Sequence, residues 1–131
     1  MKSNSYVTDT HSLIWYFTES PRLSRKALKV FEKTVKEGTI IVPTVVLAEI
    51  MYIAKKGRIT MTFSETVQRL EVSENFVITP LDLDILNTAN KIEHDLEMHD
   101  RLIAATALFL DVPLITKDEV ITGSGICKVI W

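Results

Sequence analysis

The run Thr39-Ile40-Ile41-Val42 has no polar interruption, is closed by Pro43, and leads straight into a helix-patterned stretch from Val45 to about Lys56. A strand with one wet face alternates apolar and polar residues. A strand that is apolar throughout is covered on both faces, which is the condition of a parallel sheet packed between helices. The same pattern recurs. Tyr6–Thr8, Phe76–Thr79 (stopped by Pro80), Pro113–Thr116 and the short Lys128–Ile130 all read as strands. Helical segments separate them. Leu13–Phe17 is a short helix. Ser24 caps a helix to about Lys36 with Ala27, Leu28, Phe31 and Val35 as its inner stripe and Gly38 as its stop. Thr44 caps the Val45 helix, which Gly57 ends. Thr62 and Glu65 form a capping box for a helix with Val67 and Leu70 inward. Asp82 caps a helix carrying Leu83, Leu86, Ala89 and Ile92 inward, and a last helix runs from about His99 to Leu110. Strands that alternate with helices predict an α/β chain with a parallel sheet of four to five strands and helices on both faces. In such sheets the binding crevice lies beyond the carboxyl ends of the strands, where the strand order reverses.

A length of 131 residues predicts a single domain over 1–131 with a full hydrophobic core. At 47% hydrophobic and 24% charged residues, the chain is globular rather than disordered. No apolar run approaches membrane-spanning length, and no signal-peptide core follows the first residues, so no membrane partner and a cytoplasmic location are expected. The single cysteine, Cys127, excludes an internal disulfide and any multi-cysteine metal site. Arg22, Arg25, Lys26, Lys29, Lys33 and Lys36 form one basic cluster, and Lys55, Lys56 and Arg58 another, while Asp82 to Asp100 is mostly acidic. Each cluster reads as a solvated helix face, or together as the footprint of a polyanion drawn towards an acidic centre.

Four acids stand where chemistry is expected. Asp9 ends the first strand and is wedged against the apolar Leu13–Phe17 run, so it is costly to ionise without a positive partner. Asp118 follows the fourth strand. Either is also explained as a helix cap or turn former. Glu49 shares a helical stripe with Val46, Ile50 and Ile53, where its carboxylate needs a buried cation or a metal. Asp100 lies on the face of Ile103, Ala104, Ala107 and Leu108. It serves the helix dipole, or reaches the strand ends because Ala104 and Ala105 let the helix approach the sheet closely. Four converging carboxylates raise one another's pKa. A hard divalent cation, Mg2+ or Mn2+, relieves that repulsion through oxygen ligands. No histidine or cysteine spacing suits zinc, and His94 and His99 read as surface residues.

The motifs Val7-Thr8-Asp9-Thr10-His11, Ala48-Glu49-Ile50, Glu97-Met98-His99-Asp100-Arg101 and Pro113-Leu114-Ile115-Thr116-Lys117-Asp118 occur in order from Tyr6 to nearly the C-terminus. On them the chain resembles the PIN-domain ribonucleases, specifically the VapC-type toxins of VapBC toxin–antitoxin pairs. The resemblance implies a three-layer α/β/α fold and metal-dependent endoribonuclease activity. It implies that Asp9, Glu49, Asp100 and Asp118 are the acidic quartet. Asp9 and Asp100 would be direct ligands, with Glu49 and Asp118 completing the site directly or through water. Thr10 and Thr116 would orient ligands or waters, and Arg101 would pair with an acid or touch RNA phosphate. Glu97 reads as a surface acid. The basic residues Lys26, Lys29, Lys55 and Arg58 would hold the RNA backbone. A homodimer and a VapB-type antitoxin, whose tail places an arginine or lysine among the acids, are also implied. The region before Asp100 lacks the Asp-Pro-Phe pattern of some members, so no RNA target carries over.

Two rivals remain at the level of sequence. A receiver-like phosphoacceptor domain is also doubly wound with an acidic pocket, but it needs paired acids after its first strand, and it leaves Glu49 and Asp100 unexplained. A non-catalytic PIN-like binding module has no use for the quartet. A nuclease acting on DNA is a variant of the main reading.

Overall fold

The computed structural model describes residues 4–131. In chain order the elements are β1 (Ser5–Thr8), α1 (Thr10–Phe17), α2 (Arg25–Glu37), β2 (Thr39–Pro43), α3 (Thr44–Lys55), α4 (Phe63–Glu71), β3 (Phe76–Thr79), α5 (Leu83–Lys91), α6 (Met98–Leu110), β4 (Leu114–Ile115), α7 (Glu119–Ser124) and β5 (Val129–Ile130). The five strands form one all-parallel sheet in the order β3-β2-β1-β4-β5, flanked by helices in an α/β/α arrangement. Val7 of β1 pairs with Ile41 on one side and Leu114 on the other, so β1 is the central strand. The chain steps outward from β1 through β2 to β3, then returns across the sheet to β4. The order therefore reverses between β1 and β4, and the residues that follow those two strands face the crevice there. No helix among the described residues is long and apolar enough to cross a membrane.

The core follows from the strand pattern. Val7, Ile40, Val42, Leu114 and Ile115 are fully buried in the sheet, and Phe31, Val46, Ile50, Leu70 and Ile103 pack onto it from the helices. Tyr16 stacks on Phe31 with ring centroids 4.5 Å apart, and Phe17 meets Phe76 edge-on at 5.6 Å, contacts that join α1 to α2 and to β3.

Several local expectations are corrected. Pro43, not Thr44, is the N-cap of α3 and offers no side-chain bond; the Thr44 hydroxyl instead accepts the Leu81 N–H at 3.1 Å, tying α3 to the turn after β3. Gly57 does stop the helix that carries Glu49, in the left-handed conformation (φ 71°) that glycine adopts at no steric cost. Gly38 ends α2 for a different reason: a Cβ there would lie 2.0 Å from the Asn4 carbonyl oxygen, where the chain ends of β1 and β2 meet. On α5 the inward residues are Ile85 and Ala89, with Ile92 half-buried. Leu83 (69% exposed) and Leu86 (44%) point away, because the buried stripe is phased on Ile85. On α2 the stripe runs through Ala27, Phe31 and Thr34, leaving Leu28 exposed, and Leu108 of α6 is likewise exposed. The short helix α7 was not anticipated.

Candidate active site

Asp9 is the first residue beyond β1, and three neighbours fix it. Its N–H donates to the Ile115 carbonyl of β4 at 3.2 Å. Its Oδ1 accepts the Ser12 N–H at 2.9 Å and so caps α1. Its Oδ2 accepts the Thr116 hydroxyl, and the same Thr116 oxygen accepts the Asp118 N–H at 3.0 Å. Thr116 is fully buried and thus a fixed donor. Burial pushes the Asp9 pKa up, and the hydrogen bonds from Ser12 and Thr116 pull against that. The cap expected of an Asp at a strand end and the place at the crevice are both realised by one carboxylate.

Glu49 lies in the middle of α3, half-buried, and its Oε1 accepts the Thr10 hydroxyl from the first turn of α1. Among the described residues no lysine or arginine pairs with it; the ion pair present there joins His99 to Glu97 at 2.8 Å. Asp100 sits in the first turn of α6. Glu97 caps that helix, accepting the His99 and Asp100 N–H groups at 3.0 and 3.3 Å. Ala104 and Ala105 are fully buried, so α6 does approach the sheet closely and brings its first turn to the strand ends. Asp118 follows β4 and caps α7 by accepting the Ile121 N–H at 2.8 Å.

Asp9, Glu49, Asp100 and Asp118 line one open crevice of ≈ 670 Å³, together with Thr10, Glu97 and Lys117. Four acids distributed over more than a hundred positions of sequence thus meet at the switch point. The electrostatic consequence falls on Asp100. Burial, and then the charges of Asp118, Glu97, Glu49 and Asp9, raise its pKa to about 6. Burial also works on Glu97, but hydrogen bonds from the His99 side chain and from the His99 and Asp100 N–H groups hold its pKa below the ordinary value. The partner, His99, is pushed up by its hydrogen bond to Glu97.

The donor set is all oxygen, which suits a hard cation. Among the described residues no three acids or histidines stand close enough to form a closed cage on their own. The charges of Asp118, Glu97, Glu49 and Asp9 add to burial in raising Asp100, so a cation placed among these acids would relieve their mutual repulsion.

Thr10 and Thr116 stand behind the acids as hydroxyl donors to Glu49 and Asp9. Arg101 is placed otherwise than expected. Its guanidinium donates to the carbonyls of Ala89 (3.2 Å), Ile92 (2.6 Å) and His94 (2.7 Å), clamping the end of α5, and it touches no acid of the crevice. Lys26 and Lys29 are exposed on α2, Lys55 is exposed at the end of α3, and Arg58 lines a neighbouring cleft that also contains Glu49. Sequence reasoning missed what three side chains do. Glu97 is exposed, as read from the sequence, and also lines the crevice. His99 is half-buried and lines the neighbouring cleft. Trp15, over which Lys117 Nζ lies at 5.9 Å, forms one wall. The Glu97-x-His99-Asp100 spacing at a helix start was the available signal for the first two.

A family model described as PIN domain matches residues 6–122. No curated protein matches the chain. Among solved structures, VapBC2 from Rickettsia felis, bound to a fragment of its promoter DNA, superposes with a TM-score of 0.71 at 16% identity, covering 95% of this chain and 96% of that one. A toxin–antitoxin complex from Klebsiella pneumoniae gives 0.69 at 22% identity over 96% of both chains. VapC20 of Mycobacterium tuberculosis, a toxin that cleaves the sarcin–ricin loop, gives 0.68 at 13% identity over 92% of this chain and 95% of that one. At these identities the likeness speaks for the fold.

Proposed function

Because the chain belongs to the PIN domain family, we propose that it is a Mg2+- or Mn2+-dependent endoribonuclease of the VapC type, acting in the cytoplasm under the control of a VapB-type antitoxin. The observation that carries this reading is the shared crevice of Asp9, Glu49, Asp100 and Asp118, where burial and then the charges of its neighbours raise the pKa of Asp100. Asp9 and Asp100 would hold the ion, with Glu49 and Asp118 completing the shell directly or through water. When bound, the ion supplies the positive charge that lets a phosphate enter an acidic crevice and that activates water for in-line displacement.

The rest is work for the chain's own residues. Ser12 N–H and the Thr116 hydroxyl fix both oxygens of Asp9 and favour its charged form against burial. Thr10 occupies Glu49 Oε1, which leaves Oε2 to accept the proton of the attacking water. Arg58, Lys55, Lys26 and Lys29 are exposed cations that would hold the backbone, so binding weakens with salt. Arg101 stays with α5. The solved relatives in complex with antitoxins support a VapB-type partner, whose tail would bring an arginine or lysine to the acids. A homodimer is supported by apolar side chains left exposed at the sheet edge and on α5, Val77 of β3 and Leu83 and Leu86 of α5.

The test is cleavage of RNA by purified protein in magnesium. Asp9→Asn and Asp100→Asn are each expected to lose it by at least about 100-fold. Retained cleavage in both variants defeats the assignment, and cleavage of DNA alone defeats the choice of substrate.

A further inference from the structure

A second cleft, of ≈ 530 Å³, opens beside the acidic crevice and shares His11, Trp15 and Glu49 with it as a common wall. Its chemistry is the opposite of its neighbour's. Trp15 and Tyr52 supply aromatic faces, and Arg22 and Arg58 supply cations. Both arginines are exposed, and among the described residues neither is in an ion pair. Tyr52 is 60% exposed and stands three residues beyond Glu49 on α3, so its ring lies one helical turn from that carboxylate on the same face. Lys56, one further turn along, holds its Nζ 5.3 Å from the Tyr52 ring centroid. An apolar ligand would leave two guanidinium groups unanswered. A simple anion would have no use for two aromatic faces. A nucleotide offers both a planar base and a phosphate, and the cleft lies within the roughly 300–1,000 Å³ range of small-ligand sites.

We infer that this cleft is a nucleobase subsite: it takes one unstacked base of single-stranded RNA beside the scissile phosphate, stacked on Tyr52 and backed by Trp15, with Arg22 and Arg58 on the adjoining phosphates, an assignment that rests on the ribonuclease reading for the identity of the polymer. Single-stranded RNA is read in this way elsewhere, by splayed bases on aromatic side chains with arginines along the backbone. Tyr52 and Trp15 then decide which nucleotide the crevice acts beside, whereas the acids decide only that a phosphodiester is cut.

The experiment separates binding from cleavage. A fluorescein-labelled ten-nucleotide RNA of mixed sequence, and its counterpart with the same backbone but no bases, are titrated in EDTA and followed by anisotropy. The wild type is expected to bind the base-bearing RNA roughly ten-fold more tightly. Tyr52→Ala removes that preference and Tyr52→Phe keeps it. Arg58→Ala weakens both RNAs alike and lowers the salt slope by about one. Equal binding of the two RNAs by the wild type, binding of neither, or an undiminished preference in Tyr52→Ala overturns the subsite. Cleavage by the same preparations in magnesium reports separately on the nuclease: base-dependent binding without cleavage sinks the enzyme and leaves the subsite, and cleavage with base-independent binding does the reverse.

Discussion

Asp100→Asn should stabilise the ion-free protein while abolishing its activity. Burial and the charges of Asp118, Glu97, Glu49 and Asp9 lift the Asp100 pKa from 3.8 to about 6. That gap of about 2.2 units corresponds to about 3 kcal/mol of folding free energy lost whenever the group is ionised. The carboxyl faces an open crevice, so solvent screening leaves about half of this. Losing a negative charge from the first turn of α6 costs about 0.5 kcal/mol through the helix dipole. The net gain is about 1 kcal/mol, or about 3–4 °C in melting temperature for a chain of this length. The sign with pH follows from the direction of the shift. Above about 6 both folded and unfolded chains are ionised at this site and the full cost is present. Between about 6 and 3.8 the folded state takes up the proton first, so the wild type gains stability as pH falls and the variant does not. Thermal unfolding in EDTA at pH 7.5 and again near pH 4.5 measures both effects. The difference should be largest at pH 7.5 and shrink on acidification. A variant that melts at or below the wild type at pH 7.5, or a difference that does not change with pH, refutes the crowding of charge at Asp100.

Gly38→Ala forces a methyl to within 2.0 Å of the Asn4 carbonyl and should cost about 2–3 kcal/mol in chemical denaturation without altering the crevice; a neutral result would mean that β1 and β2 separate there easily. Arg101→Ala removes donors to three carbonyls at the end of α5 and should cost about 2 kcal/mol, while cleavage per folded molecule is unchanged; lost cleavage at unaltered stability would return Arg101 to the RNA. Thr116→Val takes a donor from Asp9 Oδ2 and an acceptor from the Asp118 N–H, so magnesium affinity by calorimetry should fall about 10–100-fold, and an unchanged affinity would remove Thr116 from the site.

The sheet was legible because its strands are apolar throughout and each is punctuated by proline, glycine or a capping residue, as Ile40–Pro43 and the Thr62–Glu65 capping box show. The positions of the four acids were legible for a related reason: a carboxylate at a strand end or within an apolar stripe conflicts with its local surroundings. What the sequence concealed was phase and partnership. Leu83 and Leu86 look as apolar as Ile85, and only packing decides which of them faces the sheet. Arg101 and Lys117 flank acids equally closely in sequence, yet Arg101 turns to the carbonyls of α5 and Lys117 to the crevice. Nothing local distinguishes an arginine that will close a helix end from one that will meet a phosphate.

Reading these acids as helix caps and reading them as a catalytic site are not competing descriptions. Asp9 caps α1, Asp118 caps α7, and Asp100 stands in the first turn of α6, so three helix N-termini open onto the crevice. Each lends partial positive charge where the carboxylates are crowded. The helix ends thereby offset part of the repulsion among the four carboxylates. The relief is unequal. Asp9 has hydrogen bonds on both oxygens, Asp118 and Glu49 each have one oxygen engaged, and the Asp100 carboxylate has no partner among the described residues. Burial, and after it the charges of the neighbouring acids, therefore acts on a carboxylate that nothing holds, and the Asp100 pKa rises to about 6, while burial raises Asp9 as well. An incoming divalent cation gains most where the protein has compensated least. Asp100 should accordingly dominate the linkage between ion binding and stability: added magnesium should raise the melting temperature of the wild type most steeply above pH 6 and hardly move that of Asp100→Asn.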